Sequence, residues 1–524
     1  MKNVKKWLSL SLAGAMLMGV LAGCGGGTSS TPAPVETGAA EATGEPAAVE
    51  QVLKYGTDTW PAGFDPHTIS AIAATRVFNQ VYETLIDFNP DMTFKGVLAE
   101  SWENPDDVTY VFHLRQGVKF HNGREMTADD VVYSFQRVLG QTDYGDIGAL
   151  GSSASYYGGI ASIEATDDYT FVIKLKEASA GFLSLNIIAI LPEGYEDQAT
   201  APVGTGPFKF VEYVPSQRVV LEKNPDYYDE DRMAQVDRVE FYIMTDSAAV
   251  VSALQSGTLD IASISADDAA VLEGQFDIYN SPQNMVQIFA LNNEFEPFSK
   301  KEVRQAINYC IDKDQIIDSV FGGYGTKLYT NFSPVMEVYY NSDLEGSYDT
   351  DVAQAQSLME QAGYADGFEF TVKVPANYQA HIDTAQIIAQ QLQQINITMN
   401  IETIEWATWL EDVYTNANYE GTIIGLTGKL DPDDVLGRFE SSYARNFYNY
   451  SNSEYDQLIN DSVTELDEQT RIDNYKRCQE ILTEDAVGVF ICDPNLVVAS
   501  RKDLKGYTFY PVTFHDMTKL YYEG

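Results

Sequence analysis

Strand-like and helix-like segments alternate from residue 51 onward in this 524-residue chain, without a fixed repeat. Residues 108–115 alternate apolar and polar side chains, as a half-buried strand does. Thr127 then has the character of a helix N-cap, and Val131, Phe135 and Val138 follow at helical spacing. The same reasoning predicts strands at 218–222 and 395–401 and helices at 247–255, 301–317, 352–362 and 383–394. This spacing indicates an α/β or mixed α+β fold in more than one domain.

The N-terminus carries the features of a secretory signal. Lys2, Lys5 and Lys6 precede a largely apolar run over 7–21, which is too short to span a membrane. The run ends in Leu-Ala-Gly before Cys24, a pattern that resembles the bacterial lipobox, in which the cysteine is diacylated and becomes the first mature residue. We therefore predict a lipoprotein signal peptide at 1–23 and a lipid anchor on Cys24. The alternative is an ordinary signal peptide in which Cys24 is incidental.

Residues 24–50 follow as a predicted flexible linker. The stretch 25–50 contains no aromatic and almost no large aliphatic residue, so it cannot bury a core. No later segment approaches 18 consecutive apolar residues, so we expect no membrane span. The predicted location is the outer face of the cytoplasmic membrane, on a cell surface or in a periplasm.

Charge and missing motifs exclude several function classes. Lys and Arg total 33 against 77 Asp and Glu, which gives a net charge of −44 and disfavours nucleic-acid binding. The five histidines form no HExxH or zinc spacing, and neither GxSxG nor GxGxxG occurs. Ile423 and Leu430 rule out a P-loop at Gly428 and Lys429. We predict no catalytic site, no metal site and no cofactor.

Three cysteines lie far from the N-terminus, at Cys310, Cys478 and Cys492. They are widely spaced and show no CxxC pattern, so we expect buried free thiols. A disulfide between Cys478 and Cys492 is the alternative.

A series of short motifs in order over about 53–507 resembles family 5 of the extracellular solute-binding proteins, the peptide, dipeptide and nickel receptors of ABC importers. Each motif alone is weak, but eight in register behind a lipobox indicate membership. The matching segments are 81–85 (VYETL), 98–103 (LAESWE), 112–123 (FHLRQGVKFHNG), 127–135 (TADDVVYSF), 204–208 (GTGPF), 221–227 (LEKNPDY), 254–260 (LQSGTLD) and 303–309 (VRQAINY), followed by Asp312.

The resemblance implies a two-lobed, periplasmic-binding-protein-like fold with hinge strands. Lobe 1 is expected at 51–287, with an inserted subdomain at about 89–200, and lobe 2 at 288–497. Residues 498–524 are expected to return to lobe 1, and the hinge crossings to fall near 284–292 and 495–500. A ligand would bind between the lobes and be trapped by closure. The implied partners are a small peptide and a membrane permease with its ATPase, and the receptor is expected to be a monomer.

Most of the matched motifs are expected to be structural. Trp102, Phe112 and Phe120 are predicted core residues, and Arg304 is predicted to form a scaffold ion pair. The residues Gly204, Gly206 and Pro207 are predicted to shape a turn.

The resemblance places ligand contacts in three places. One is the loop after the first mature strand, one is the start of a helix near residue 381, and one is the segment 425–428, which matches the family's Gly-Trp-Thr-Gly stretch along the bound peptide. The candidate binding residues are Thr59, Trp60, Pro61, His381, Gly425, Leu426, Thr427, Lys429 and Asp431.

Two departures from the family pattern bear on the ligand. Dipeptide and oligopeptide receptors have an Asp for the ligand's ammonium group at a position that falls on Lys429 here, or on Gly428 if the alignment is anchored on Pro432, so neither alignment supplies the acid. The dipeptide receptor's Arg for the ligand carboxylate has no counterpart beside His381. We therefore predict a peptide receptor that binds through the ligand's backbone. Receptors for oligosaccharides or a nickel chelate, and a surface sensor without a transporter, are the alternatives, and the absent catalytic motifs disfavour a hydrolase.

Overall fold

Two mixed β-sheets, each flanked by helices, organise the chain in a computed structural model. The structure describes residues 50–57, 63–69, 72–142, 159–185, 188–428, 430–510 and 516–523. The expected contacts Thr59, Trp60, Pro61 and Lys429, and the predicted anchor Cys24, lie outside these residues. From Glu50 on, the chain forms one compact unit.

The strands are short and follow in the order expected for mixed α/β units. They are β1 (Val52–Thr57), β2 (Ile86–Phe88), β3 (Phe94–Gly96), β4 (Ala99–Asp106), β5 (Thr109–Leu114), β6 (Ile160–Asp167), β7 (Thr170–Leu175), β8 (Phe208–Val214), β9 (Arg218–Lys223), β10 (Arg238–Ile243), β11 (Ile261–Ser263), β12 (Asp277–Ser281), β13 (Met285–Leu291), β14 (Gly325–Lys327), β15 (Phe368–Pro375), β16 (Ile397–Ile404), β17 (Gly421–Thr427), β18 (Gly488–Pro494), β19 (Leu496–Ser500), β20 (Leu504–Lys505) and β21 (Tyr521–Tyr522).

The described α-helices include both long amphipathic helices and single turns. They are α1 (Ile72–Val81), α2 (Ala128–Val138), α3 (Phe182–Leu185), α4 (Ser247–Gln255), α5 (Ala266–Leu272), α6 (Glu296–Ser299), α7 (Lys301–Cys310), α8 (Lys313–Phe321), α9 (Val352–Ala362), α10 (Gln379–Leu392), α11 (Trp406–Trp409), α12 (Asp433–Leu436), α13 (Ser453–Thr464) and α14 (Glu468–Glu484). A π-helix, Leu410–Thr415, continues α11. None of the helices in the described ranges is both long and apolar enough to cross a membrane.

Three of the sheets are larger than a two-stranded ribbon. The first sheet has the order β12-β19-β11-β1-β10-β9-β8, and the second has the order β14-β18-β13-β17-β15-β16. The inserted sheet, β4-β5-β7-β6, packs its own core with α2 and α3. The pairs β2–β3 and β20–β21 are small ribbons.

The chain passes from the first sheet to the second at 282–284, between β12 and β13, and returns at Asn495, between β18 and β19. The predicted boundaries at 287/288 and 497/498 therefore fall inside β13 and β19. Position along the chain suggested those boundaries, whereas strand pairing puts the change of sheet at the irregular residues before each strand. The division into lobes with these exact limits stays a prediction.

Both faces of the second sheet are buried, which explains its continuous apolar strands. Successive side chains of β13 alternate, so Ile288 packs on one face and Phe289 on the other. The Phe289 face is covered by α7 to α10, and the Ile288 face by α13 and α14. Phe112 and Phe120 are buried in the inserted core as predicted, and Trp102 packs against it half-buried.

Several predicted elements are confirmed, and two need correction. Helices α4 and α9 match their predicted ranges, and strand β9 extends one residue further. The predicted helix 301–317 is instead two helices, because Ile311 is extended and the Asp312 side chain accepts from the N–H of Gln315 at 3.0 Å, starting α8. The helix expected from Asp383 begins at Gln379, and the Asp383 carboxylate accepts from the Gln379 amide at 2.8 Å.

Two motif residues act differently from the prediction. Arg304 forms no carboxylate pair among the described residues; it donates to the carbonyls of Phe298, Asp485 and Ala486 at 2.6–3.2 Å. Gly204 allows a close backbone approach, since a Cβ there would lie 2.1 Å from the Val81 carbonyl oxygen.

The thiols of Cys310, Cys478 and Cys492 are free and buried, as predicted.

Candidate functional site

The two chain crossings and three strand ends meet at one edge of the second sheet. Strand β15 runs parallel to β16 and β17, so the carboxyl ends of all three lie together. Strand β13 is antiparallel to β17 and starts at the same edge, where Met285 is opposite Thr427. We call residues 282–285, 375–381, 404–410 and 424–428 the crossover edge. Ligands of open α/β sheets bind outside the carboxyl ends of such strands.

Strand β17 extends beyond its pairing with β15 at this edge. Its partner β15 pairs with Gly421 and Thr422, and residues 423–427 extend past that pairing. The N–H of Gly425 donates to His381 Nε2 at 3.1 Å, so it points away from β13. Because the N–H and C=O of one strand residue lie on the same side, the backbone groups of Gly425 and Thr427 share this orientation. We call residues 423–427 the open edge of β17.

His381 is the side chain that contacts the open edge of β17, through Gly425. It is buried, and burial lowers its pKa to about 4, so the ring is neutral at physiological pH. The Gly425 N–H can only donate, so Nε2 must be the unprotonated nitrogen. Nδ1 then carries the proton, and it lies 3.0 Å from the side-chain amide of Gln287.

Two glycines fix β17 to the crossing at 282–284. The N–H of Gly428 donates to the Asn284 carbonyl at 2.6 Å, and Asn284 has a left-handed backbone with φ 57°. A Cβ at Gly428 would lie 2.5 Å from Asn284 Oδ1, and a Cβ at Gly425 would lie 2.9 Å from the Met285 sulfur. A side chain at either position would therefore force the Asn284 or Met285 side chain to move.

The other predicted contacts on β17 differ in their surroundings. Leu426 is half-buried against the core of the second sheet. Thr427 is exposed, and its carbonyl accepts from Arg438 Nη2 at 2.9 Å. The Gly425 carbonyl and the Thr427 N–H thus remain directed at the open edge. His381 contacts this segment through Gly425, and ligand contact at 425–428 stays a prediction.

Asp431 lies apart from this surface and has a strong partner. Both its carboxylate oxygens accept from Arg471 Nη2, at 2.8 and 2.7 Å, and both side chains are buried. The carboxylate also lies against Gly181, which precedes α3 of the inserted core. Nearby, burial and then the carboxylates of Asp431 and Asp434 raise the pKa of Asp433 to about 7. A ligand contact for Asp431 stays a prediction.

Sequence reasoning missed four neighbours of the open edge: Asn284, Gln287, Tyr378 and Trp406. Gln287 and Asn284 lie in or beside an apolar strand, where only the three-dimensional pairing reveals their partners. Tyr378 and Trp406 follow the parallel strands β15 and β16 within three residues. Aromatic residues at two such strand ends could have been recognised in the sequence as candidates for the same edge of the sheet. Across the described ranges, no cluster of three or more His, Cys, Asp or Glu side chains is arranged to hold a metal ion.

Residues 93–447 match the family described as Bacterial extracellular solute-binding proteins, family 5 Middle. This match covers well over half of the chain. The protein belongs to family 5 of the bacterial extracellular solute-binding proteins. The family consists of receptors for solutes outside the cytoplasm and not of enzymes.

Relatives of this family 5 protein match it over nearly their whole length. Heme-binding protein A of Haemophilus influenzae is 30% identical, with 96% of each chain covered. Di/tripeptide-binding protein 1 of Pseudomonas aeruginosa is 30% identical, with 91% of this chain and 95% of the relative covered. The periplasmic binding protein DppA of Helicobacter pylori, solved with the peptide STSA, is 28% identical with a TM-score of 0.74, covering 90% of this chain and 98% of that one. The fold is therefore mixed α/β and two-lobed.

Proposed function

We propose that this family 5 protein is the peptide-capturing receptor of an ABC importer. The observation that carries the proposal is the open edge of β17 beside both crossings. The Gly425 carbonyl and the Thr427 N–H are spaced as one residue's pair of hydrogen bonds on an added strand. Relatives named as di/tripeptide-binding and a relative solved with a peptide support the same ligand class.

The proposed binding mode relies on the ligand's backbone. His381 is neutral and already accepts from Gly425, so it offers no positive charge to a ligand carboxylate. Asp431 is occupied by Arg471, so it offers no free negative charge to a ligand ammonium group. Peptides with blocked or distant termini are therefore the expected ligands.

A thermal-shift screen tests the ligand class. Peptides of three residues or more should stabilise the protein, by about 2.7 kcal/mol at a hundredfold excess over Kd. The screen includes oligosaccharides, a nickel chelate and heme, so that each alternative is tested in parallel. Stabilisation by one of these compounds and by no peptide would contradict the proposal.

Thr427→Pro tests the backbone contact itself. Proline removes the N–H that faces the open edge, and a strand edge tolerates proline because no partner among the described residues loses a bond. We expect peptide affinity to fall about fivefold, as for one hydrogen bond of about 1 kcal/mol. Thr427→Ala is the matched control, because it shortens the same side chain and keeps the N–H. Equal losses in both variants would assign the effect to the side chain.

A substitution at Lys429 tests whether the receptor discriminates against a peptide with a free N-terminal ammonium group. The family resemblance places this lysine where relatives carry an Asp, so a free ligand ammonium group would meet like charge at a cost of about 1–3 kcal/mol. Titration calorimetry compares wild type and Lys429→Asp with matched free and acetylated peptides. We expect the variant to gain affinity for the free-amine peptide only. The same affinity in all four combinations would remove Lys429 from recognition.

We also propose that Cys24 carries a lipid anchor and that the receptor delivers its ligand to a permease and ATPase. The lipobox pattern supports the first statement, and the family supports the second. Cys24→Ala should release the protein into the soluble fraction. Retention of the variant in carbonate-washed membranes would contradict the anchor. Permease and ATPase genes beside this one would favour import over a sensor without a transporter.

A further inference from the structure

Asp493 is a buried carboxylate beside the two crossings of the chain. It lies next to the end of β18 and has no exposed surface. Its Oδ1 accepts from the N–H of Gln283 at 3.2 Å, and the N–H groups of Asn284 and Met285 also donate toward the carboxylate. Its Oδ2 accepts from the Ser333 hydroxyl at 2.6 Å. One carboxylate thus organises successive backbone N–H groups where the chain passes from the first sheet to the second.

Side-chain hydrogen bonds also join the two crossings to each other. The Gln283 amide nitrogen donates to the Pro494 carbonyl at 2.8 Å, and the Asn495 amide nitrogen donates to Asn280 Oδ1 at 3.0 Å. In the described part of the chain, the strands of the first and second sheets are connected only through these two crossings. Any rotation of one sheet against the other must therefore be absorbed beside Asp493.

The turn that this carboxylate holds also supports the open edge of β17. The left-handed Asn284 accepts at its carbonyl from the N–H of Gly428 at 2.6 Å. Met285, the next residue, lies opposite Thr427 in the pairing of β13 with β17. A short series of contacts therefore connects the carboxylate to the strand end that the proposed function assigns to the ligand.

We propose that Asp493 is a positioning residue for ligand binding, whose ionised carboxylate holds the turn at 283–285, and with it the open edge of β17, in the arrangement that receives a peptide. This inference rests on the proposed peptide-binding function and adds a residue that acts on the ligand through the crossing. Hydrogen bonds to an ionised acceptor are stronger than neutral ones. Loss of the charge should release the turn, and a ligand would then have to order it, at a cost in affinity.

The titration of Asp493 provides a readout that a purely structural role would not move. Burial raises the pKa of Asp493 from its ordinary value of 3.8 to about 6, although the Ser333 hydroxyl and the N–H donors lower it. The stability contribution of this group is therefore complete below pH 3.8 and lost as the pH rises through 6. The proposed effect on affinity has the opposite sign, because the turn is held only while the carboxylate is ionised.

Other titratable or charged side chains lie on the elements around Asp493, and each has its own contacts. They are Cys492 in β18, Lys313 in α8, Lys327 in β14, His381 in α10 and Arg438 after α12. Burial raises the pKa of Cys492 and lowers that of His381 to about 4, so neither titrates between pH 7.5 and 5. Burial lowers the pKa of Lys313 to about 7, within this range. The effect of Asp493 is therefore the difference between the wild type and a variant that retains Lys313.

Asp493→Asn is that variant, because Asn keeps the size of the side chain and carries no charge. Titration calorimetry of the full protein with acetylated, amidated pentaalanine is performed at pH 7.5 and 5. At pH 7.5 the variant should bind about tenfold more weakly, as expected for lost hydrogen bonds to a charged group. At pH 5 the wild-type affinity should approach that of the variant. Asp87→Asn is the matched control, because Asp87 is another buried carboxylate with a raised pKa, in β2 outside both large sheets; it should change affinity by less than about twofold.

Hydrogen exchange of the ligand-free protein, read by mass spectrometry, tests the turn without a ligand. At pH 7.5 the amides of 283–285 should exchange about tenfold faster in Asp493→Asn than in the wild type, and Asp87→Asn should match the wild type. Ser333→Ala is a milder variant in case Asp493→Asn fails to fold. Loss of the hydroxyl donor should raise the pKa of Asp493, so the affinity should begin to fall at a higher pH.

The outcomes separate the two proposals. Failure of the wild type to bind pentaalanine would overturn binding through the ligand's backbone, and with it the role of Asp493 in binding. Equal affinity of the wild type and Asp493→Asn at pH 7.5, or the same pH dependence in both proteins, would overturn the role of Asp493 alone. Unchanged exchange at 283–285 would show that the carboxylate does not hold the turn.

Discussion

At the scale of single residues, the candidate site depends on His381 being neutral. Its ring accepts from Gly425, and protonation of Nε2 would break that bond. The folded pKa of about 4 lies below the ordinary value of 6.5. The unfolded chain therefore binds the proton first as the pH falls, and the stability contribution of His381 is complete above pH 6.5 and lost toward pH 4.

His381→Gln tests this prediction, because Gln keeps an acceptor for Gly425 and does not titrate. The difference in unfolding free energy between wild type and variant should decrease as the pH falls from 6.5 to 4, with a slope of up to about 1.4 kcal/mol per pH unit. Urea unfolding at pH 7, 6 and 5 measures it. His67 and His121, whose pKa values burial also lowers to about 4, are present in both proteins and cancel. A difference that does not vary with pH would contradict the neutral ring.

The buried pair of Asp431 and Arg471 leads to a second prediction at this scale. Arg471→Met leaves the Asp431 carboxylate buried without its cation, and should lower the unfolding free energy by about 3–5 kcal/mol. Replacing both residues, Arg471→Met with Asp431→Leu, should recover most of that loss, because the unpaired charge of Asp431 is then absent. Chemical denaturation of the three proteins checks both results. A double variant no more stable than the single would show that Asp431 is not the source of the loss.

At the scale of elements, the end of α14 is held by a cation from another helix. Arg304, in α7, donates to the carbonyls of Asp485 and Ala486, where α14 ends and its carbonyls lack helical partners. A positive charge is also favourable at the negative end of a helix dipole. Arg304 uses its donors on these carbonyls, which accounts for the absence of the predicted carboxylate partner among the described residues.

Arg304→Met should therefore lower the unfolding free energy by about 2 kcal/mol, since buried carbonyls lose charged donors. Urea denaturation measures the change. Arg445→Met is the control, because Arg445 is exposed and should change stability by less than about 0.5 kcal/mol. Equal changes in both variants would mean that the contacts of Arg304 to α14 do not stabilise the fold.

Elements with strong local signals could be predicted from the sequence, and those that depend on distant partners could not. Helix α9 ends where Gly363 turns left-handed, a local signal. The break at Ile311 was missed because apolar residues continue at helical spacing on both sides. The segment 425–428 was found by family resemblance. Gln287 lies in β13 and Tyr378 follows β15, and only the order of the strands in the sheet brings these two residues close to that segment.

At the scale of the whole molecule, the inserted core touches the second-sheet core on the side of Asp431. The N–H of Ala180 donates to the carbonyl of Val463, in α13, at 3.0 Å. A Cβ on Gly181 would lie 2.7 Å from Asp431 Oδ2, and Arg471 holds that carboxylate in place. Any movement that separates the inserted core from the second-sheet core must break this contact, and any side chain at 181 opposes its formation.

Gly181→Val should therefore favour an open arrangement and weaken peptide binding about tenfold, because closure would have to overcome the overlap. Calorimetry measures the affinity, and small-angle scattering of the ligand-free protein should show a larger radius of gyration. Gly159→Val is the matched control, since a Cβ there meets nothing within 4 Å. Unchanged affinity in Gly181→Val would show that the contact plays no part in closure.

The free thiols have a practical consequence for watching this movement. Cys310, Cys478 and Cys492 are buried, and burial raises the pKa of Cys310 to about 12, so these sulfurs react slowly with maleimides. A pair of cysteines introduced on the surface, one in each lobe, could then carry donor and acceptor dyes with little background labelling. Because its native thiols are buried, the receptor suits single-molecule distance measurements, in which opening and ligand capture are followed on the same molecule.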